Sequence, residues 1–305
     1  MNEINIEHIN RLSDIELSKL LHTLLRTEAS QKSLDGCNIT VPLKITVADG
    51  GEDGRIQWTG TPVKTDWLNN KLTVFQNKAT NLIPSKCYEE ILETEFASQP
   101  RKLKAQVEEV VLNNGCYTLF TTQDLNTQQK NERIAEFRRA IQDAGHSNYA
   151  TFEIEIYDAN KIKDWVNEYI GAVTVVQGFN GIQRPQGFVE WDKWEILARA
   201  TENKFQVDST IVGNMTLLEK SILTERVIRV TGHSGLGKTR LVLEAFRSSD
   251  LKKSIVYYNL EGSENISEIK NYILSYQDSQ DGIIVIDNCD VKSHLILSGI
   301  AKPTG

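Results

Sequence analysis

The first clear periodicity along the chain is helical. Leu17, Leu20, Leu21, Leu24 and Leu25 recur at spacings of three and four, so they share one helical face. Ser13 stands before them as an N-cap, with Glu16 three residues on as its capping-box partner. From residue 38 to 47 the period changes to two. Ile39, Val41, Leu43, Ile45 and Val47 point one way, as in a strand with one buried face. Pro42 inside it predicts a sheet edge or a bulge. Residues 49–54 read as a turn, and 55–58 and 72–76 as further strands. Helices are predicted over 85–95 and 102–113, a strand over 116–121, and a helix over 128–144 that carries Ile134, Phe137 and Ile141 on one side. A strand over 151–157 and a helix over 161–170 follow.

Residues 178–187 hold Gly178, Gly181, Gly187 and Pro185, which mark a boundary. A polar, helix-prone stretch over 191–204 leads on. Strands over 226–231, 254–260 and 282–287 then alternate with helices over 237–247 and 265–276, the rhythm of a parallel α/β sheet. The expected division is an N-terminal domain over 1–176, a connecting region over 177–224 and a second domain from 225 to 305.

Composition narrows the function. With 305 residues, 40% hydrophobic and 25% charged, the chain is not wholly disordered, collagenous or mucin-like. The net charge of −7 excludes a generally basic nucleic-acid binder, so any DNA contact comes from a local patch. Arg101, Lys102 and Lys104, and Arg138 with Arg139, are candidates for such a patch or simply solvated helix faces. No apolar run approaches the ~20 residues of a membrane span, and the N-terminus is polar and acidic, so neither membrane nor signal peptide is expected. Cys37, Cys87, Cys116 and Cys289 lie far apart without a CxxC pair. That argues against a zinc ribbon or a disulfide framework and suits a cytoplasmic protein. The five histidines show no ligand spacing, and Trp165, Trp191 and Trp194 read as packing residues.

Gly232-His233-Ser234-Gly235-Leu236-Gly237-Lys238-Thr239 satisfies GxxxxGK[ST] between a predicted strand and a predicted helix. Glycines let successive N–H groups turn inward around a phosphate chain, and the helix N-terminus adds its positive end. Lys238 can reach the β- and γ-phosphates of ATP, and the Thr239 hydroxyl can ligate Mg2+. Gly232, Ser234, Gly235 and Gly237 complete the cradle. The run Ile283 to Asp287 is a buried-looking strand ending in a carboxylate, which would hold the Mg2+ through water. Asn288 follows where an acid would serve as base, so water activation is weak or falls to Asp290, itself a loop residue on the simpler reading. The chain stops at Gly305, which predicts a fragment of a longer protein.

A second constellation lies in the N-terminal half. Asp53 sits at a turn between strands, and Gln76-Asn77-Lys78 ends the next strand. Gln76 and Lys78, two apart, share a face that would project toward Asp53. Phosphodiester hydrolysis uses carboxylates that hold Mg2+ and a lysine that stabilises developing charge. The Asn77 carbonyl is a further candidate metal ligand, whereas Glu52 reads as solvent-facing. A plain hairpin turn with a solvated lysine is the structural alternative.

These residues resemble the PD-(D/E)xK nuclease superfamily, particularly its Mrr-like and restriction-type branches. The resemblance implies a small mixed sheet flanked by helices in the order αβββαβ, and a further acidic metal ligand on the first helix. Glu16 is the better match for that ligand and Glu28 the runner-up. Such a nuclease followed by a P-loop domain is similar to the bacterial antiviral STAND NTPases of the Avs type. That similarity implies an endonuclease acting on double-stranded DNA, controlled by ATP, with a viral protein as trigger, a C-terminal sensor region and homo-oligomerisation on activation. A nucleotide-gated scaffold with an inactive nuclease-like domain is the alternative from another class. An ATP-driven motor would need helicase motifs, which do not occur.

Overall fold

The structure is a computed structural model that describes residues 3–42, 52–93, 101–182, 187–199, 205–260, 266–274 and 282–300. The described residues pack as two units, one over residues 4–167 with 178–181, the other over residue 3, 168–177 and from 182 to 300.

The first unit runs α1 (Ile6–Asn10), α2 (Asp14–Gln31), β1 (Asn38–Thr40), β2 (Gly54–Gln57), β3 (Leu72–Lys78), α3 (Pro84–Glu90), α4 (Ala105–Leu112), β4 (Cys116–Thr121), α5 (Thr127–Asp143), β5 (Glu153–Tyr157) and α6 (Ala159–Glu168). Its five strands lie in sequence order. β2 pairs antiparallel with both β1 and β3, whereas β3, β4 and β5 are parallel and joined by helical crossovers. The result is a mixed sheet flanked by helices. β3 and β4 are the most buried strands, as expected where both faces are covered. Leu72 and Val74 pack into a core with Cys87, Val107, Phe137 and Ile141 of α3 to α5. On the opposite face, Phe75 meets Phe120 and Tyr157 edge-on.

The leucine face of α2 is buried as its spacing predicts, and Ser13 and Glu16 close the capping box. Leu43, Ile45, Val47, Asp49, Gly50 and Gly51 lie outside the described residues. α3 ends five residues before the predicted limit of 95, because Leu92 turns to bridge Leu103 across an antiparallel contact. Gly115 precedes β4 at a close approach. A Cβ there would sit 2.7 Å from the Leu72 carbonyl oxygen and 2.9 Å from Val110 Cγ1. Gly115→Ala is therefore expected to destabilise this unit by ~1–3 kcal/mol through overpacking, seen as a lower urea midpoint. An unchanged midpoint would show that the backbone relaxes freely there.

The second unit contains α7 (Ile170–Phe179), β6 (Phe188–Glu190), α8 (Trp191–Arg199), α9 (Ser209–Ser221), α10 (Lys238–Arg247), a 3-10 turn (Asp250–Ser254), β7 (Ile255–Asn259), α11 (Ile266–Leu274), β8 (Ile283–Asp287) and α12 (Val291–Ser298). β7 and β8 are parallel, and β6 adds antiparallel to β7. Two expectations change here. Residues 177–224 are not a bare connection, because β6 joins this sheet and Trp191, Trp194 and Leu218 join its core. The second unit takes up the chain at 168, with 178–181 returning to the first. The stretch 226–231 is also not a strand, although Ile228 and Val230 pack against the Trp191–Trp194–Phe246 cluster. Its alternating pattern is satisfied by packing alone, without a ladder.

Candidate functional site

β2 and β3 together determine where Asp53 goes. Gly54 opposes Phe75 in their antiparallel register, and the Asp53 N–H donates to the Phe75 carbonyl at 2.9 Å. Asp53 is thus the next residue of the ladder, across from Gln76. Its Oδ2 accepts from Gln76 Nε2 at 2.5 Å and from the Asn77 N–H at 2.7 Å. Asp53 and Gln76 meet as the sequence predicts. Gln76 is buried, and its Oε1 has no hydrogen-bond partner. A buried oxygen acceptor beside a carboxylate is a donor type that suits a hard cation such as Mg2+.

The other predicted residues are placed differently. Lys78 Nζ pairs with Glu90 Oε1 of α3 at 3.1 Å, and Lys104 approaches the same oxygen at 3.8 Å. Of Asn77, whose carbonyl is the candidate ligand, the side chain donates to Ser18 Oγ at 3.0 Å on α2. Glu16 is turned into its cap, accepting from the Ser13 N–H at 2.9 Å and hydroxyl at 2.7 Å. Glu28 is fully buried on α2, close enough to Tyr157 to help raise the phenol's pKa, to which burial contributes most. The α2 carboxylate that reaches the end of β3 is Asp14, which accepts the Ala79 N–H at 2.8 Å. Its place beside Ser13 in the first turn was a weak signal, since acids are favoured there for the helix dipole alone. Glu90 had no sequence signal. Among the described residues, no group of three or more His, Cys, Asp or Glu side chains is gathered as a metal site.

Glu52 corrects an expectation. It is not solvent-facing but grips Arg55, accepting from Nε at 3.0 Å and Nη2 at 2.8 Å, while Glu109 of α4 takes Nη1 at 2.9 Å. Hydrogen bonding to Glu52, and then to Glu109, raises the Arg55 pKa. Hydrogen bonding to Arg55 lowers that of Glu109. Arg138 Nε is buried with no hydrogen-bond partner among the described residues, whereas Arg139 pairs with Glu136 and lies over the Tyr88 ring at 4.4 Å.

In the second unit the glycine loop leads directly into α10. Gly235 and Gly237 have φ of 80° and 76°, the left-handed region that glycine adopts without strain. Added Cβ atoms at either would meet open space. Gly237 is the N-cap of α10, and no side chain caps the helix. Its first N–H groups therefore retain their capacity for an anion. Gly232 and Ser234 are exposed in the same loop, and Lys238 Nζ donates to the His233 carbonyl at 2.9 Å. The decisive contact is long-range. Thr239 Oγ1 donates to Asp287 Oδ2 at 2.7 Å, joining residues 48 apart in sequence. Tyr257 Oη donates to the same oxygen at 3.1 Å, a partner that no motif in the sequence signals. The Asn288 N–H donates to Asp287 Oδ1 at 2.9 Å. Asp290 is the N-cap of α12, accepting the Ser293 N–H at 2.7 Å, which settles it as a loop-and-cap residue.

The chain matches no known protein family, no curated protein and no solved structure.

Proposed function

We propose that the chain is a Mg2+-dependent DNA endonuclease controlled by ATP binding, acting in bacterial anti-phage defence as its resemblance to antiviral STAND NTPases implies. The contact between Asp53, Gln76 and the Asn77 N–H carries the nuclease half. It gathers a carboxylate, an unpartnered buried amide oxygen and, two residues on, Lys78 at one end of β3. Asp53 and Gln76 would hold Mg2+, which supplies Lewis-acid stabilisation to the scissile phosphate when bound. Lys78 supplies positive charge for the phosphorane-like transition state once it exchanges Glu90 for phosphate oxygen. The Thr239–Asp287 contact supports the nucleotide half, since it brings a hydroxyl and a carboxylate to the uncapped start of α10. Incubation of the chain with plasmid DNA, Mg2+ and ATP tests the reading, and intact supercoiled DNA across all conditions would refute the nuclease half.

Two observations favour a second reading. With Lys78 held by Glu90, and no cluster of three acidic or other ligating side chains among the described residues, the N-terminal unit also suits a nucleotide-gated scaffold that binds DNA or a partner without cutting. DNA retention without cleavage would favour it.

ATP turnover is expected to be slow, well below the ~10 s−1 of a median enzyme. Asn288 cannot act as a base, and Asp290 is committed to capping α12. Phosphate release measured under saturating Mg2+–ATP checks this, and turnover near the median would show that another residue activates water.

A further inference from the structure

Asp287 is held by three donors, and one of them belongs to neither sequence motif. Its Oδ2 takes both Thr239 Oγ1 at 2.7 Å and Tyr257 Oη at 3.1 Å, and its Oδ1 takes the Asn288 N–H at 2.9 Å. A carboxylate offers about four lone-pair positions. Among the described residues one therefore remains, on Oδ1, for a cation-bound water. Tyr257 lies on β7 in register with Val285, two residues before Asp287 on β8, so the parallel ladder itself sets the reach of the phenol. Tyr257 is 8% exposed. Trp194 of α8 stacks on it at 4.6 Å between centroids and 11° between planes, and Trp191 packs edge-on against Trp194. α8 is also tied to α10, through Arg247 with Glu195 at 3.4 Å and Arg240 Nη1 with the Ala198 carbonyl at 3.4 Å.

We propose that Tyr257 is a positioning residue of the Mg2+–nucleotide site: it fixes the Asp287 carboxylate beside Thr239, and the stacked Trp194 registers the cation's arrival. The inference rests on the nucleotide reading above. A phenol suits the task because it is a neutral donor. It orients the carboxylate without bringing a positive charge that would compete with Mg2+. Thr239 can offer its oxygen to the cation while its proton still points to Asp287, so the Tyr257 bond is the one that adjusts as charge arrives on the shared oxygen. The ring cannot adjust without altering its stack on Trp194.

The test uses the full chain and two ligands, ATP with EDTA and Mg2+–ATP, followed by calorimetry. Tyr257→Phe preserves the ring and its stack and removes only the hydroxyl. It is expected to leave ATP affinity in EDTA unchanged and to weaken Mg2+ affinity of the ATP complex by ~10–100-fold, the usual effect of losing a partner that orients a metal-binding group. Equal Mg2+ dependence in variant and parent overturns the proposal. Equal loss of ATP binding with and without Mg2+ also overturns it, since the residue is then merely structural. A parent that binds neither ligand defeats the nucleotide reading itself, a distinct result that removes this inference with it. Tryptophan emission provides a readout independent of any change at Tyr257. Mg2+–ATP is expected to shift it more than ATP with EDTA, and Trp194→Phe is expected to remove that difference. Emission indifferent to Mg2+ in the parent overturns the coupling to Trp194.

Discussion

Asp53→Ala is expected to lower Mg2+-dependent DNA cleavage by ~10²–10³-fold or more, the scale of losing one preorganised electrostatic group. The variant removes the carboxylate that Gln76 and the Asn77 N–H converge on, so both the cation's anionic ligand and the order of the β3 end are lost. Lys78→Ala is expected to reduce cleavage on the same scale with little effect on folding. Its ion pair with Glu90 is about a quarter exposed on the lysine side, and Lys104 remains at 3.8 Å to balance Glu90. Such partly exposed pairs contribute ~0–1 kcal/mol. Gln76→Ala should be milder than either, because a neutral amide is a weaker cation ligand than a carboxylate. Supercoiled plasmid assays alongside thermal melts separate these effects. Parent-like cleavage by both Asp53→Ala and Lys78→Ala would remove the nuclease reading and leave the turn as a simple hairpin element.

Lys238→Ala is expected to weaken ATP binding by ~10–100-fold, as loss of a charge-assisted hydrogen bond to phosphate implies. Lys238 Nζ donates to the His233 carbonyl of its own loop, so its removal leaves intact the packing of α10 through Leu243 and Phe246. Calorimetry with ATP measures the loss, and a thermal melt matching the parent's confirms that folding is unaffected. Unchanged affinity would mean that the glycine loop does not hold the nucleotide.

Much of the fold was legible because local and tertiary demands agree. The leucines of α2 repeat with the helical period and are buried by the sheet, and Ser13 caps where its side chain suggests. β3, β4, β7 and β8 are short apolar runs whose lengths suit strands rather than helices. The stretch 226–231 shows the limit of the same method. Alternation records which side chains are covered, not whether a neighbouring strand accepts the hydrogen bonds. β6 is only three residues long and leaves no period to detect. At the sites, residues linked by short spacing were readable: Gln76 with Lys78 on one strand, Lys238 with Thr239 at a helix start. Partners delivered by other elements were not. Glu90 reaches Lys78 from α3, Asp14 reaches Ala79 from α2, and Tyr257 reaches Asp287 from a neighbouring strand. Glu16 illustrates a conflict within one residue: the feature that identified it as a cap also commits its carboxylate locally.

The distribution of the four free cysteines has a practical chemical consequence. Cys87 and Cys116 are buried in the first unit, and burial pushes both thiols up to about 12. At neutral pH such groups hold almost no thiolate, the form that attacks alkylating reagents and peroxides. Cys37 and Cys289 are only half-buried and lie in different units, although burial raises Cys289 as well. A maleimide applied to the native chain should therefore mark one position in each unit and leave the sheet core untouched. The two units thus carry separate natural attachment points for spectroscopic probes, without any engineered cysteine.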